Sequence, residues 1–254
     1  GSVIVSYASF ANDYSLIAAR SDDGGASFTR STIISDKLQQ KFYNLAYVCV
    51  SQESGRVYAT YLAIEQFGQQ LSIKNEISFS DDDGLSWPGA NHSVASNGEI
   101  DVAFNDPACA ARGDEVWAMY GLTKDQLSGE SEESQKLYAL KVRHSGTGAA
   151  TWDGIMDAGD PTAAPLLMHP DLHGEPGGLL DMVYYAGTAD EDPKGSFRRS
   201  RFKFGEDQPQ SSLVHEPIVF AQSRDVPYWL GDYVGLHVTE KRLYTTYVVN
   251  DTFE

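Results

Sequence analysis

Two aspartates stand at comparable places in this chain: Asp106 before Pro107, and Asp232 before Tyr233. Carboxylates that converge from distant parts of a sequence can hold a cation or accept hydrogen bonds from sugar hydroxyls. Each can equally cap its own loop by accepting backbone N–H groups. Asn44 and Tyr233 share these settings and would add an amide and a phenol. Ca²⁺ is the ion that such oxygen donors suit. No motif requires a cofactor: HExxH, CxxC and the P-loop pattern are absent, and His144, His169, His173 and His215 lack a metal-ligand spacing. The net charge of −17 repels phosphate backbones and anionic membranes, so nucleic acid is excluded as a partner.

A repeat positions these residues. A five-residue strand pattern ending in tyrosine recurs as VIVSY (3–7), VYATY (57–61), VWAMY (116–120), DMVYY (181–185) and LYTTY (243–247). The final tyrosines, Tyr7, Tyr61, Tyr120, Tyr185 and Tyr247, are separated by 54, 59, 65 and 62 residues. Further strand-like runs keep the same phase. Ser15–Arg20, Leu71–Phe79, Leu137–Val142 and Phe197–Phe204 follow the pattern. Asn44–Val50, Pro107–Ala111, Pro165–Met168 and Asp232–Val238 belong to the adjoining strand of each unit. No helical period competes over a comparable length. A unit of about sixty residues is therefore four antiparallel strands. One such sheet cannot bury both its faces, and radial stacking of sheets solves that problem, so the pattern predicts an all-β, β-propeller fold. About four and a half repeats are visible. The expectation is one propeller domain over 1–254, five- or six-bladed if completed, either by a longer polypeptide or by another chain.

Two segments identify the repeat further. Residues 21–28 read SDDGGASF and residues 80–87 read SDDDGLSW, both fitting S-x-D-x-G-x-[ST]-[WF]. They resemble the Asp box of bacterial neuraminidase repeats, found in sialidase-like propellers. Asp23 and Asp82 can accept turn N–H groups, and Ser21 and Ser80 can bond to the same turns. Gly25 and Gly84 can take positive φ, and Phe28 and Trp87 can plug the gap between sheets. The resemblance implies a structural role for all eight, on a hairpin away from the ligand face. A decayed box at 145–152 keeps Ser145 and Trp152 but has Thr147 in place of the aspartate.

The resemblance also sets expectations about function. Sialidases use a tyrosine nucleophile activated by a glutamate, and Tyr185 with Glu175 supplies those residue types. They also need three arginines for the substrate carboxylate, the first in Arg-Ile-Pro or Arg-Leu-Pro, and neither tripeptide occurs here. Arg198, Arg199 and Arg201 lie on one strand, where alternation sends Arg199 and Arg201 to one face and Arg198 to the other. The expected function is an extracellular module, secreted or on the cell surface, that binds a glycan or another partner through its channel face. The alternatives are an exo-sialidase or related glycoside hydrolase, and a structural cell-surface module. No run of 18 apolar residues occurs. Cys49 and Cys109 fall on the adjoining strands of successive units, either as buried thiols or as a disulfide between neighbouring blades.

Overall fold

The structure is a computed structural model. It describes residues 1–10, 14–36, 41–67, 70–88, 92–94, 106–123, 138–160, 166–187, 194–206, 209–219, 221–222, 227–229, 234–239 and 242–248. The chain divides into two compact units, 1–120 with 143–154, and 121–142 with 155–254.

Four antiparallel meanders run in chain order. The first sheet contains β1 (Val3–Ser9), β2 (Ser15–Ser21) and β3 (Thr29–Ile34). The second contains β4 (Lys41–Val50), β5 (Val57–Phe67), β6 (Gln70–Ser80) and β7 (His92–Ser93). The third contains β8 (Ala108–Arg112), β9 (Glu115–Thr123), β10 (Tyr138–Ser145) and β11 (Ile155–Asp157). The fourth contains β12 (Leu166–Glu175), β13 (Leu179–Gly187), β14 (Lys194–Lys203) and β15 (Ser211–Val219). Two short pairs follow, β16 (Ala221–Gln222) with β17 (Pro227–Trp229), and β18 (Gly235–Val238) with β19 (Leu243–Thr246). The repeat predicted this order, and the tyrosine pattern lies on β1, β5, β9 and β13, ending just beyond β19. The strand expected at Pro165–Met168 is longer, reaching Glu175.

In the first unit, the first and second sheets pack face to face. Val57, Ala59, Tyr61 and Ala63 alternate along β5 and bury against Leu16, Ala18 and Ile33, with Tyr43 and Trp87 completing the core. Between β4 and β8, Cys49 and Cys109 form a disulfide with Cα atoms 5.7 Å apart. Of the two states left open by the sequence, the bonded one is found.

Both boxes close as their residue types require. The Asp82 carboxylate accepts from Ser86 N (2.8 Å), Ser86 Oγ (2.5 Å) and Ser80 Oγ (2.7 Å), while Ser80 Oγ accepts from Gly84 N (2.8 Å). Asp23 makes the same set with Ser27 and Ser21, and Gly25 N donates to Ser21 Oγ. The Ser86 hydroxyl, with Ser80 and the Ser86 amide behind it, holds the Asp82 carboxyl down at about 2. Thr147 replaces the aspartate in the third sheet without losing the pattern: Thr151 N donates to Thr147 Oγ1 (2.9 Å), and Ala149 N to Ser145 Oγ (2.9 Å). Ala149 takes the glycine's left-handed conformation there, with φ of 70°.

The aromatic positions differ. Trp87 is 9% exposed, and its indole N–H donates to Ser31 Oγ, which donates in turn to Gly84 O. Phe28, expected to be buried, is 44% exposed. Trp87 joins the core to which the first sheet contributes Leu16, Ala18 and Ile33.

Candidate functional site

Cross-strand register defines equivalent positions better than sequence spacing does. On β4, Asn44 pairs with Leu62 and Tyr47 with Thr60, so Leu45 and Ala46 together oppose Tyr61. On β12, Met168 pairs with Tyr185 and Asp171 with Val183, so His169 and Pro170 together oppose Tyr184. These are β-bulges, two residues facing one. Each carries a non-glycine residue in the left-handed region, Leu45 with φ of 50° and His169 with φ of 46°. That conformation costs about 1–2 kcal/mol per residue.

The equivalence corrects the phase of the fourth unit. Tyr184, not Tyr185, corresponds to Tyr61. Tyr61 OH lies 3.1 Å from Ser78 Oγ, and Tyr184 OH lies 3.4 Å from Ser200 Oγ. Strand propensity could not choose between adjacent tyrosines, whereas a one-residue shift reverses every side chain. Tyr185 points the other way, where its hydroxyl donates to Val248 O (3.2 Å) and accepts from Val248 N (2.7 Å). Burial raises its phenol above the ordinary value.

The proposed tyrosine–glutamate pair is likewise corrected. Glu175 pairs with Leu179 and Tyr185 with Met168, six residues apart along β13, a strand separation of roughly 20 Å. Glu175 instead bonds to Arg201 (2.5 Å). The arginines alternate as expected and are occupied within the sheet. Arg199 donates from Nε to the buried Asp181 (2.9 Å), and Arg198 from Nε to Ser211 Oγ (2.8 Å).

In the first unit, the bulge of β4 and the residues just before β8 stand at the level of the corresponding tyrosines, Tyr61 and Tyr120. Ala108 pairs with Met119, so Asp106 and Pro107 precede the strand at the level of Tyr120. Asp106 is partly exposed. The Asn44 side chain caps its own bulge, accepting from Leu45 N (2.9 Å). Asp232 and Tyr233 lie outside the described residues. Among the described residues no cluster of three or more His, Cys, Asp or Glu side chains could hold a metal.

Sequence reasoning missed the charged group at the same end of the second sheet. Glu65 accepts salt bridges from Lys41 and from Lys74 (3.6 Å), and Asp36 accepts from Lys41 N (2.6 Å). The salt bridge from Lys41 keeps the Glu65 carboxyl low. Glu76 sits opposite Tyr61 and is 9% exposed. Burial raises its carboxyl, outweighing the pull of Lys41 and Lys74. Tyr43, buried beside these carboxylates, is pushed up to about 12. A glutamate alternating with apolar residues in LSIKNEISFS was the available signal.

No family model matches the chain, and no curated protein matches it. Solved structures do. An α-L-arabinanase of Penicillium chrysogenum complexed with arabinobiose superposes with a TM-score of 0.57 at 15% identity, over 87% of this chain and 66% of that one. The GH93 α-L-arabinofuranosidase of Fusarium graminearum gives 0.55 at 14% identity, with the same coverage. A GH32 β-fructofuranosidase of Bombyx mori gives 0.51 at 11% identity, over 96% of this chain and 52% of that one. The chain thus spans just under two thirds of the arabinan-active structures. At these identities the likeness is one of fold: an all-β propeller type built of four-stranded antiparallel sheets, as in propeller glycoside hydrolases.

Proposed function

We propose that this chain is an extracellular Asp-box propeller module that binds a neutral glycan at the end where β4 and β8 begin. One observation carries the reading: Asn44–Leu45 and Asp106 stand at equivalent positions of adjoining strands, with a strained bulge at Leu45. Strained backbone persists where surrounding structure holds it, and such positions concentrate at binding sites. The Asp106 carboxylate, and further along the second sheet that of Glu65, favour hydroxyl donors over an anionic sugar. The fold shared with carbohydrate-active propellers supports the ligand class by analogy. The disulfide supports an oxidising, extracellular location.

Sialoside hydrolysis has less behind it. Its tyrosine and glutamate stand far apart, and the clustered arginines are engaged by Asp181, Glu175 and Ser211. A panel of neutral and sialylated oligosaccharides, arabinobiose included, tests the reading by calorimetry and by product analysis. Binding of a neutral glycan that weakens in Asp106→Asn at unchanged melting temperature is expected. Preferential binding or cleavage of sialosides would reverse the choice.

A further inference from the structure

We propose that the seam between the first and second sheets is a proton-controlled contact, tight while the Glu76 carboxyl carries its proton and loosened when the proton leaves. The argument begins with position. Glu76 lies on β6 directly opposite Tyr61, so its side chain points with Tyr61 toward the first sheet. The hydrophobic residues the first sheet brings to this core are Leu16, Ala18 and Ile33, with Ile4, Ala8 and Ile34 around them, and Ser6 adds a hydroxyl that donates to Ala46 O. Glu76 is nine-tenths buried, and its Oε2 has no hydrogen-bond partner.

An ionised carboxylate with a buried, unpartnered oxygen against hydrocarbon is costly, and a neutral carboxyl is far less so. The groups that bear on it are few and nameable. Asp36 follows β3, Lys41 and Tyr43 lie on β4, Tyr61 and Glu65 on β5, and Lys74 on β6. Lys41 and Lys74 are already turned to Glu65, which leaves their attraction for Glu76 too weak to offset burial. Tyr61, a hydrogen-bonding neighbour, is itself held above its ordinary value, chiefly by burial and then by the charge of Glu76, so it does not supply a counter-charge.

The sign of the effect follows. A carboxyl whose folded value stands above its unfolded one stabilises the fold while protonated. That contribution is complete below the unfolded value and is lost as pH rises through the folded one. The ionised Oε2 must then be solvated, which loosens the packing around it. The switch does not depend on what ligand the neighbouring strand ends hold, so its test is separate from theirs.

Carbon-13 NMR of the wild-type Glu76 carboxyl, followed from pH 3 to 9, measures the titration directly. It should fall above the ordinary glutamate value of about 4.3. Urea unfolding of the first unit is then compared between wild type and Glu76→Gln across the same range. The folding equilibrium of wild type relative to the variant should weaken by up to about tenfold per pH unit between the ordinary glutamate value and that titration, and level off above it. Amide exchange at Leu16, Ile33 and Tyr43 should accelerate there in wild type and not in the variant. A Glu76 titration at or below the ordinary value overturns the proposal, and needs no variant to read. Parallel stability curves overturn it as well.

Discussion

Breaking the Cys49–Cys109 bond is the perturbation whose size can be worked from topology. The bond closes a loop across a sequence separation of 60 residues between β4 and β8. In the chain-entropy account, opening a loop of that length frees the unfolded chain by about 14 cal/mol/K, or about 4 kcal/mol at 25 °C. The first unit should lose stability of that order, roughly a thousandfold in its folding equilibrium. The assay is urea unfolding with and without dithiothreitol, followed by the fluorescence of Trp87 and Trp117. Reduction keeps both sulfur atoms, so it isolates the covalent bond from packing. The Cys49→Ala, Cys109→Ala double variant should fall somewhat lower still, because Cys109 is fully buried and its loss leaves a small cavity of about 1 kcal/mol. A drop under about 1 kcal/mol on reduction would refute the reasoning, since the loop length fixes the entropic contribution.

Other expectations follow from single contacts. Asp82→Ala should lower the unfolding midpoint without changing ligand affinity; loss of binding at unchanged stability would contradict its structural role. Because Asp82 is held down at about 2, its contribution is present above the unfolded value, near 3.9, and is lost only as pH falls through about 2. The wild-type and Asp82→Ala acid-unfolding curves should therefore converge at the acid end. Thr147→Asp should raise stability by about 0.5–1 kcal/mol, since a carboxylate is a stronger acceptor for the Thr151 amide than a hydroxyl. Thermal unfolding reads that sign, and a decrease would count against the box equivalence. Arg199→Ala should cost on the order of 3 kcal/mol, because Asp181 is fully buried and would lose its main partner; denaturant titration of the second unit measures it.

What was legible in the sequence was what closes locally. The box turns could be read because Asp82 and Ser80 satisfy groups within four residues of themselves. Four-strand meanders could be read because alternation and turn chemistry are local as well. Phe28 was misjudged because its burial depends on a neighbouring sheet, not on its own turn. The phase of Asp181–Tyr185 needed the pairing of β12 with β13, which no local rule supplies for two consecutive tyrosines. Glu76 escaped notice for a related reason. What makes it unusual is its burial opposite Tyr61, on the face where another sheet packs. The bulges at Leu45 and His169 were equally silent, since a non-glycine residue at positive φ is uncommon and neither position carries a local turn signal.

The measurement that bears most directly on the central claim is calorimetric titration of a neutral glycan, taken from an array screen, into wild type, Asp106→Asn and Asn44→Ala. Binding by wild type, weakened at least tenfold in both variants with the melting temperature of Asp106→Asn unchanged, is the predicted result. Equal affinity in all three proteins would contradict a ligand site where β4 and β8 begin, and so would an array on which no neutral glycan binds.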